Sequence, residues 1–83
     1  MYELIFAKRA LEELSKLETE IKDRIWNKLQ LTKENPFRFF EKLVEIPGFK
    51  LRVGDYRVLA DISPATNKIY VKKVGHRRNI YEN

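Results

Sequence analysis

The sequence predicts an α+β fold in which an N-terminal strand and a helical hairpin pack on one face of an antiparallel sheet. Three observations predict it. The first half of the chain carries apolar residues at helical spacing, the second half alternates apolar and polar residues, and short turn sequences separate the alternating runs. The chain has 83 residues, a length that suits one domain over residues 1–83.

The first half predicts one strand and two helices. A β-type run over residues 2–7 precedes a helix over residues 8–17, whose apolar face consists of Ala10, Leu11, Leu14 and Leu17. Ala7 is a poor cap for that helix, whereas Thr19 is a good cap for the next one. The second helix has a buried stripe made of Ile21, Ile25 and Leu29. It ends before Pro36, because a residue that precedes proline is driven out of the helical region.

The second half predicts four strands, over residues 42–46, 49–53, 56–62 and 68–74. Gly54 and Asp55 form a two-residue hairpin signal between the second and third of them. Consecutive strands with short turns predict an antiparallel meander with one face under the helices and one face open. Trp26, Phe37, Phe39 and Phe40 are interpreted as core and helix-end packing. Exposure of Phe37, Phe39 or Phe40 would instead indicate a docking surface for a partner.

Positive charge is concentrated in the second half. The chain has 17 Lys and Arg against 12 Asp and Glu, a net charge of +5. Residues 1–47 hold nine of each sign, so the whole excess lies in residues 48–83. A segregated excess indicates a polyanionic partner, and an RNA backbone is the one we favour.

Strand alternation places part of this charge on the open face. Leu51 and Val53 point toward the helices, so Lys50, Arg52 and Arg57 are left on the opposite face, close together across the hairpin. Taken singly, such residues are usually solvated surface. Lys72 and Lys73 are interpreted as solvent-facing charge.

Several classes of protein are disfavoured. The sequence has no cysteine, which rules out disulfides and thiolate metal sites, and a single histidine does not make a metal site. No run approaches the ~18 apolar residues of a membrane span, and the N-terminus lacks a signal-peptide pattern. Phosphate-loop, dinucleotide and nucleophile-elbow motifs are missing as well. We therefore expect a cytoplasmic protein without cofactor, metal or membrane attachment.

The segment after the last predicted strand brings reactive groups together. Within seven residues it contains His76, Arg77, Arg78 and Tyr81. Cleavage of RNA by its own 2′-hydroxyl needs a proton acceptor, cations around the phosphorus, a donor for the leaving oxygen and a surface that holds a base. Lys, Arg, His and Tyr side chains can supply all four.

Two segments carry a resemblance to a known family. Residues 49–58 (FKLRVGDYRV) and 74–81 (VGHRRNIY) resemble the RelE/ParE superfamily of toxin–antitoxin toxins, and the RelE branch more closely. The resemblance implies a RelE-like fold and a metal-independent endoribonuclease that cleaves mRNA in the ribosomal A site and inhibits translation. It also implies an acidic, RelB-like antitoxin as partner, besides ribosome and mRNA.

The resemblance assigns roles to individual residues. It implies catalytic roles for Arg52, Arg57, Arg77 and Tyr81, and substrate-binding roles for Lys50, His76 and Arg78. Arg52 stands where a lysine is usual and is too basic to move protons, so the general base stays open between Tyr81 and His76. Tyr81 alternatively packs the chain end onto the sheet, and His76 alternatively serves as a turn residue. Two other functions stay open: a ParE-like, non-enzymatic gyrase inhibitor, and a degenerate relative that only binds antitoxin or RNA.

Overall fold

The computed structural model describes residues 1–80. Its elements are β1 (Glu3–Phe6), α1 (Lys8–Ser15), α2 (Thr19–Thr32), a 3-10 helix (Pro36–Arg38), β2 (Glu41–Lys42), β3 (Phe49–Val53), β4 (Tyr56–Ser63) and β5 (Lys68–His76). None of the helices between residues 1 and 80 has the length and apolarity of a membrane span.

The strands form one five-stranded sheet in the order β1-β5-β4-β3-β2. The pairs β2–β3, β3–β4 and β4–β5 are antiparallel, as predicted. β1 lies parallel to β5, with Glu3 opposite Lys68, so the sheet is mixed. Parallel neighbours need a long crossover connection, and the two helices lie within the long segment that separates β1 from β5. The predicted α+β fold, two helices packed on a mainly antiparallel sheet, is confirmed.

The core lies between the helices and one face of the sheet. Its fully buried members include Ala10, Ile25, Leu29, Val58, Ile69 and Val71. The prediction that Leu11 belongs to the buried face of α1 is wrong, because Leu11 is 50% exposed. It lies about 100° around the helix from Ala10, and the face that reaches the sheet is narrower than that.

Both helix starts lack a side-chain cap. Ala7 precedes α1 and makes no capping hydrogen bond, as expected. The prediction that Thr19 caps α2 is wrong: the capping position is Glu18, and Thr19 is the first helical residue. Because Glu18 already has the extended backbone that a capping residue needs (φ −60°, ψ 149°), the helix begins one residue earlier than the cap preference suggested.

Of the four aromatic residues interpreted as packing, two are enclosed and two, Trp26 and Phe37, are exposed. Phe40 is buried and Phe39 is half-buried against the core. Trp26 stacks on Phe6 with ring centroids 5.8 Å apart, and Phe37 meets Phe49 edge-on at 5.7 Å. Nearly half the surface of both Trp26 and Phe37 is nevertheless accessible.

The predicted strand over residues 42–46 is wrong. Only Glu41–Lys42 pairs with β3, and residues 43–48 form a loop. The loop is closed by a hydrogen bond of 2.9 Å from the Leu43 amide to the Gly48 carbonyl. Pro47 has no N–H to offer a ladder, and Gly48 has a φ of +118°, which an L side chain rarely adopts. These two residues make the connection to β3 a six-residue loop instead of a tight turn.

Candidate nucleic-acid interface

The face of the sheet away from the helices carries two rows of side chains across β3, β4 and β5. Residues opposite each other on neighbouring strands share a face. In the first row Arg52 lies opposite Arg57, which lies opposite Gly75. We call this the arginine row. In the second, Lys50 lies opposite Leu59, which lies opposite Lys73. We call this the lysine row. The predicted grouping of Lys50, Arg52 and Arg57 on one face is confirmed.

Arg57 is held in place by the hairpin turn beside it. Its side chain is largely buried, with the residue 9% exposed. Nη1 donates hydrogen bonds to the carbonyl oxygens of Gly54 (3.1 Å) and Tyr56 (3.0 Å). Gly54 has a φ of +59°, which suits the first central position of a type II′ hairpin turn. The turn therefore presents its carbonyl to the guanidinium, and a buried charge acquires acceptors.

Arg52 and Arg77 are more exposed and lie next to carboxylates. Arg52 Nε is 3.8 Å from Glu41 Oε1, and Arg77 Nε is 3.8 Å from Asp55 Oδ1. The backbone N–H of Arg77 also donates to the carbonyl of Asp55 at 2.8 Å. Arg52 precedes the Gly54–Asp55 turn, Arg57 donates to it and Arg77 is attached to it. Three arginines, from β3, from β4 and from the segment after β5, thus adjoin one turn.

His76 lies elsewhere than expected. The sequence prediction put it near the open face, but it pairs with Tyr56 and shares the helix-side face with it. The two rings meet edge-on with centroids 5.3 Å apart. His76 Nδ1 accepts a hydrogen bond from the Arg78 amide at 3.2 Å. The reason is strand alternation: Gly75 takes the open-face position, so its neighbour points the other way.

The end of the described chain returns to the open face. A Cβ placed on Gly75 would lie 3.8 Å from Cβ of Ile80, which puts Ile80 beside the arginine row. Arg78 is exposed in the turn that leads there. Tyr81, the fourth residue with a predicted catalytic role, lies outside the described residues.

A β-bulge in β5 adds Lys72 and Lys73 to the open face. From the sequence alone, both are interpreted as solvent-facing charge. Leu59 pairs with Lys73 while Ala60 pairs with Val71, so Lys72 is an extra residue in β5. Lys72 reaches Asp61 with Nζ 3.3 Å from Oδ2. Apolar residues recur at Val71 and Val74, a spacing of three that breaks strand alternation and would have predicted the bulge.

This arrangement suits binding of a phosphate-rich polymer. Guanidinium and ammonium groups form charge-assisted hydrogen bonds with phosphate oxygens, and Arg does so through two parallel bonds. Residues 1–80 contain no group of three or more His, Asp or Glu side chains placed to hold a metal ion.

Comparison with known proteins defines the class. A sequence model described as "ParE toxin of type II toxin-antitoxin system, parDE" matches residues 4–81. The class is thus the toxin component of type II toxin–antitoxin systems. Because the match spans nearly the whole chain, the protein belongs to the RelE/ParE superfamily, and the resemblance drawn from residues 49–58 and 74–81 is confirmed. No curated protein sequence matches the chain.

Solved structures agree in fold. A chain of the toxin–antitoxin complex RelBE2 from Mycobacterium tuberculosis superposes with a TM-score of 0.83 at 26% identity, covering 92% of this chain and 98% of that one. The intact E. coli RelBE complex gives a TM-score of 0.78 at 30% identity, with coverage of 92% and 96%. The RelE–RelB complex from Pyrococcus horikoshii OT3 gives 0.77 at 19% identity, with coverage of 95% and 98%, and supports the fold alone.

Proposed function

We propose that the protein is a RelE-type toxin that cleaves mRNA in the A site of the ribosome and so arrests translation. The 2′-oxygen attacks the adjacent phosphorus, the bond from phosphorus to the 5′-oxygen breaks, and the 2′-hydroxyl proton is removed. A proton is then delivered to the leaving 5′-oxygen. The products are a 2′,3′-cyclic phosphate and a 5′-hydroxyl. The toxin supplies no metal to this reaction, since side-chain cations neutralise the phosphate.

The observation that carries this proposal is the direct opposition of Arg52 and Arg57 on the open face. Like charges in directly opposite positions repel each other and destabilise a sheet. An anion between them would turn the repulsion into binding. Lys50 lies two positions before Arg52 on β3, and Arg77 lies beside Asp55 of the turn. Both are proposed to bind the same phosphate group.

Proton transfer is assigned to Tyr81 in preference to His76. The imidazole faces Tyr56 on the helix side, and Nδ1 already accepts the Arg78 amide. We therefore give His76 a positioning role, in which it orders the turn that precedes Tyr81. Arg78, exposed in that turn, is proposed to contact the RNA backbone.

An antitoxin is the proposed protein partner. The solved relatives from M. tuberculosis and E. coli are toxin–antitoxin complexes. The net charge of +5, concentrated after residue 47, favours an acidic chain that covers the open face. Such a pair would act in the cytoplasm, where translating ribosomes are found.

The proposal is tested by primer extension on an mRNA translated in a purified system. The wild type should produce cuts within A-site codons, and the combined variant Arg52→Ala, Arg57→Ala, Arg77→Ala should produce none. Losing several charge-assisted contacts, each contributing ~1.5–3 kcal/mol, slows the reaction by orders of magnitude. Circular dichroism must show that the variant remains folded, because Arg57 is buried.

A charge-matched control uses Lys8→Ala, Lys16→Ala and Arg38→Ala, which removes three exposed cations that lie in or next to the helices. This control should cleave normally. Full activity of the first variant, or equal loss in both, contradicts the assigned site.

A second candidate is a ParE-like gyrase inhibitor, which the name of the matching family model favours. It predicts inhibition of gyrase supercoiling without any cut in translated mRNA. Running the supercoiling assay beside the primer extension separates the two functions. We favour cleavage because of the cations in the arginine row.

A further inference from the structure

A cleft lies on the open face next to the lysine row. It has a volume of about 260 Å³ and is lined by loop residues Leu43, Ile46 and Pro47 and by Leu59, Asp61 and Lys73 of the sheet. Pockets for drug-sized ligands usually measure about 300–1,000 Å³. This cleft therefore suits a smaller group, such as one planar ring system.

The floor of the cleft is apolar although the surrounding face is charged. Leu43 is 6% and Leu59 is 7% exposed, and neither belongs to the core beneath the helices. Leu59 projects from β4 on the same face as Arg57, and the loop over residues 43–48 brings Leu43 to it. An apolar floor beside a row of cations is what a nucleotide needs, because its base is flat and weakly polar on the face while its phosphate is charged.

The rim of the cleft carries a hydrogen-bond acceptor and donors. Asp61 is ion-paired to Lys72 at 3.3 Å, yet both side chains remain about half exposed (49% and 54%). Lys73, the next residue of the bulge, completes this rim. A carboxylate accepts hydrogen bonds from exocyclic amino groups of bases.

The cleft is at the right distance from the arginine row. Leu59 follows Arg57 by two positions along β4, which corresponds to about 6.5 Å. Lys50 and Lys73 flank Leu59 on either side. A phosphate held between Arg52 and Arg57 would thus place an adjoining nucleotide over the lysine row.

We propose that this cleft is a nucleobase subsite, which receives the base of a nucleotide flanking the cleaved phosphate. The base packs on Leu43 and Leu59, and Asp61 accepts a hydrogen bond from its exocyclic amino group. Cytosine, adenine and guanine carry such a group and uracil does not, so the subsite selects against uracil. The inference rests on the proposed nuclease function and adds a determinant of cutting preference.

The test is the base composition around the cuts in a translated mRNA library with randomised codons. For the wild type, uracil should be depleted about tenfold at one position flanking the cut. Asp61→Asn keeps the shape of the side chain but adds a donor that uracil oxygens accept. It should restore uracil at that position, scored as the share of all cuts that uracil flanks.

Two controls separate recognition by the carboxylate from a structural effect. Lys72→Gln breaks the same ion pair but keeps the carboxylate, and should still deplete uracil. Asp23→Asn makes the same substitution on the exposed surface of α2 and should change nothing. A second approach fills the cleft: Ile46→Trp, in the partly exposed loop, should slow cleavage at all codons.

The failures are distinguishable. Normal cleavage with no base preference, or with a preference that Asp61→Asn leaves unchanged, overturns the subsite and leaves the nuclease standing. No cleavage by the wild type overturns both.

Discussion

At the scale of single residues, the proposed function of Arg52 and Arg57 opposes the stability of the sheet. The two cations lie directly opposite each other, and Glu41 Oε1 lies 3.8 Å from Arg52 Nε. Exposed ion pairs contribute little to stability, so Glu41 compensates only part of the repulsion. A site that binds an anion tolerates this cost because the ligand removes it.

We predict that Arg52→Gln separates the two effects. Relief of the repulsion offsets the lost pair with Glu41, so the free energy of unfolding should change by less than about 1 kcal/mol. The cleavage rate should fall at least about tenfold. Urea unfolding and primer extension measure the two quantities, with Arg38→Gln as control. A destabilisation above about 2 kcal/mol would show instead that Arg52 has a structural role.

Two glycines provide a matched prediction. Gly48 has a φ of +118°, and a Cβ there would lie 3.4 Å from both the Ala60 carbonyl and Asp61 Oδ1. Gly48→Ala should therefore cost about 1–3 kcal/mol and distort the cleft beside Asp61. Gly75→Ala should be tolerated, since its nearest neighbour would be Ile80 at 3.8 Å. Thermal unfolding of both variants tests this, and equal destabilisation would contradict it.

At the scale of elements, α1 protects part of an edge. β1 pairs only with the first four residues of β5, and within the described chain no strand covers that side beyond Val71. There the Glu13 carboxylate of α1 accepts the Val74 amide at 2.9 Å. A side chain thus supplies the acceptor that a neighbouring strand would have provided.

This contact predicts different effects for two variants of Glu13. Glu13→Ala leaves the Val74 amide without its acceptor and should destabilise the fold by about 1–2 kcal/mol. Glu13→Gln keeps an oxygen in place and should cost less than half as much. Hydrogen exchange at the Val74 amide should accelerate only in the alanine variant. Equal exchange in both would show that the carboxylate is not the acceptor in solution.

The elements also show what sequence patterns can predict. Apolar spacing predicted both helices, and Gly54–Asp55 predicted the β3–β4 hairpin with its correct turn. The failures depend on tertiary geometry. The parallel pairing of β1 with β5 depends on how the two helices pack on the sheet between these strands. The loop over residues 43–48 depends on contacts that sequence periodicity does not encode.

The candidate site was predictable to a similar extent. Alternation placed Lys50, Arg52 and Arg57 on one face, but β5 continues to His76, and the same alternation places His76 on the other face. Alternation predicts the face of the sheet on which a side chain lies, but it does not predict how much of that side chain is exposed. It therefore did not indicate that Arg57 is enclosed while its opposite neighbour Arg52 is exposed.

At the scale of the whole molecule, the helices cover one face of the sheet and the cations collect on the other. The helices and the segment up to residue 47 are electrically balanced, so the field of the net charge of +5 originates from the half that contains β3, β4 and β5. Such asymmetry orients a polyanion before contact.

The salt dependence of RNA binding tests whether particular arginines, and not only the net charge, contact the phosphates. Binding of a short single-stranded RNA, made uncleavable by 2′-O-methyl groups, should weaken with a log–log slope of about −2 if three phosphates are contacted. The variant Arg52→Ala, Arg57→Ala, Arg77→Ala should flatten the slope. The control Lys8→Ala, Lys16→Ala, Arg38→Ala should not. Equal slopes for the two would indicate that only net charge matters.

The two hydrogen bonds that hold Arg57 have a consequence for the proposed cleavage reaction. A flexible surface arginine must lose its freedom each time a substrate arrives, and part of its attraction is spent on that ordering. Arg57 has already lost this freedom during folding, since Nη1 is anchored on Gly54 and Tyr56. Its charge is therefore already in a fixed position. Its electrostatic attraction is not reduced by an ordering cost when negative charge develops on the phosphate.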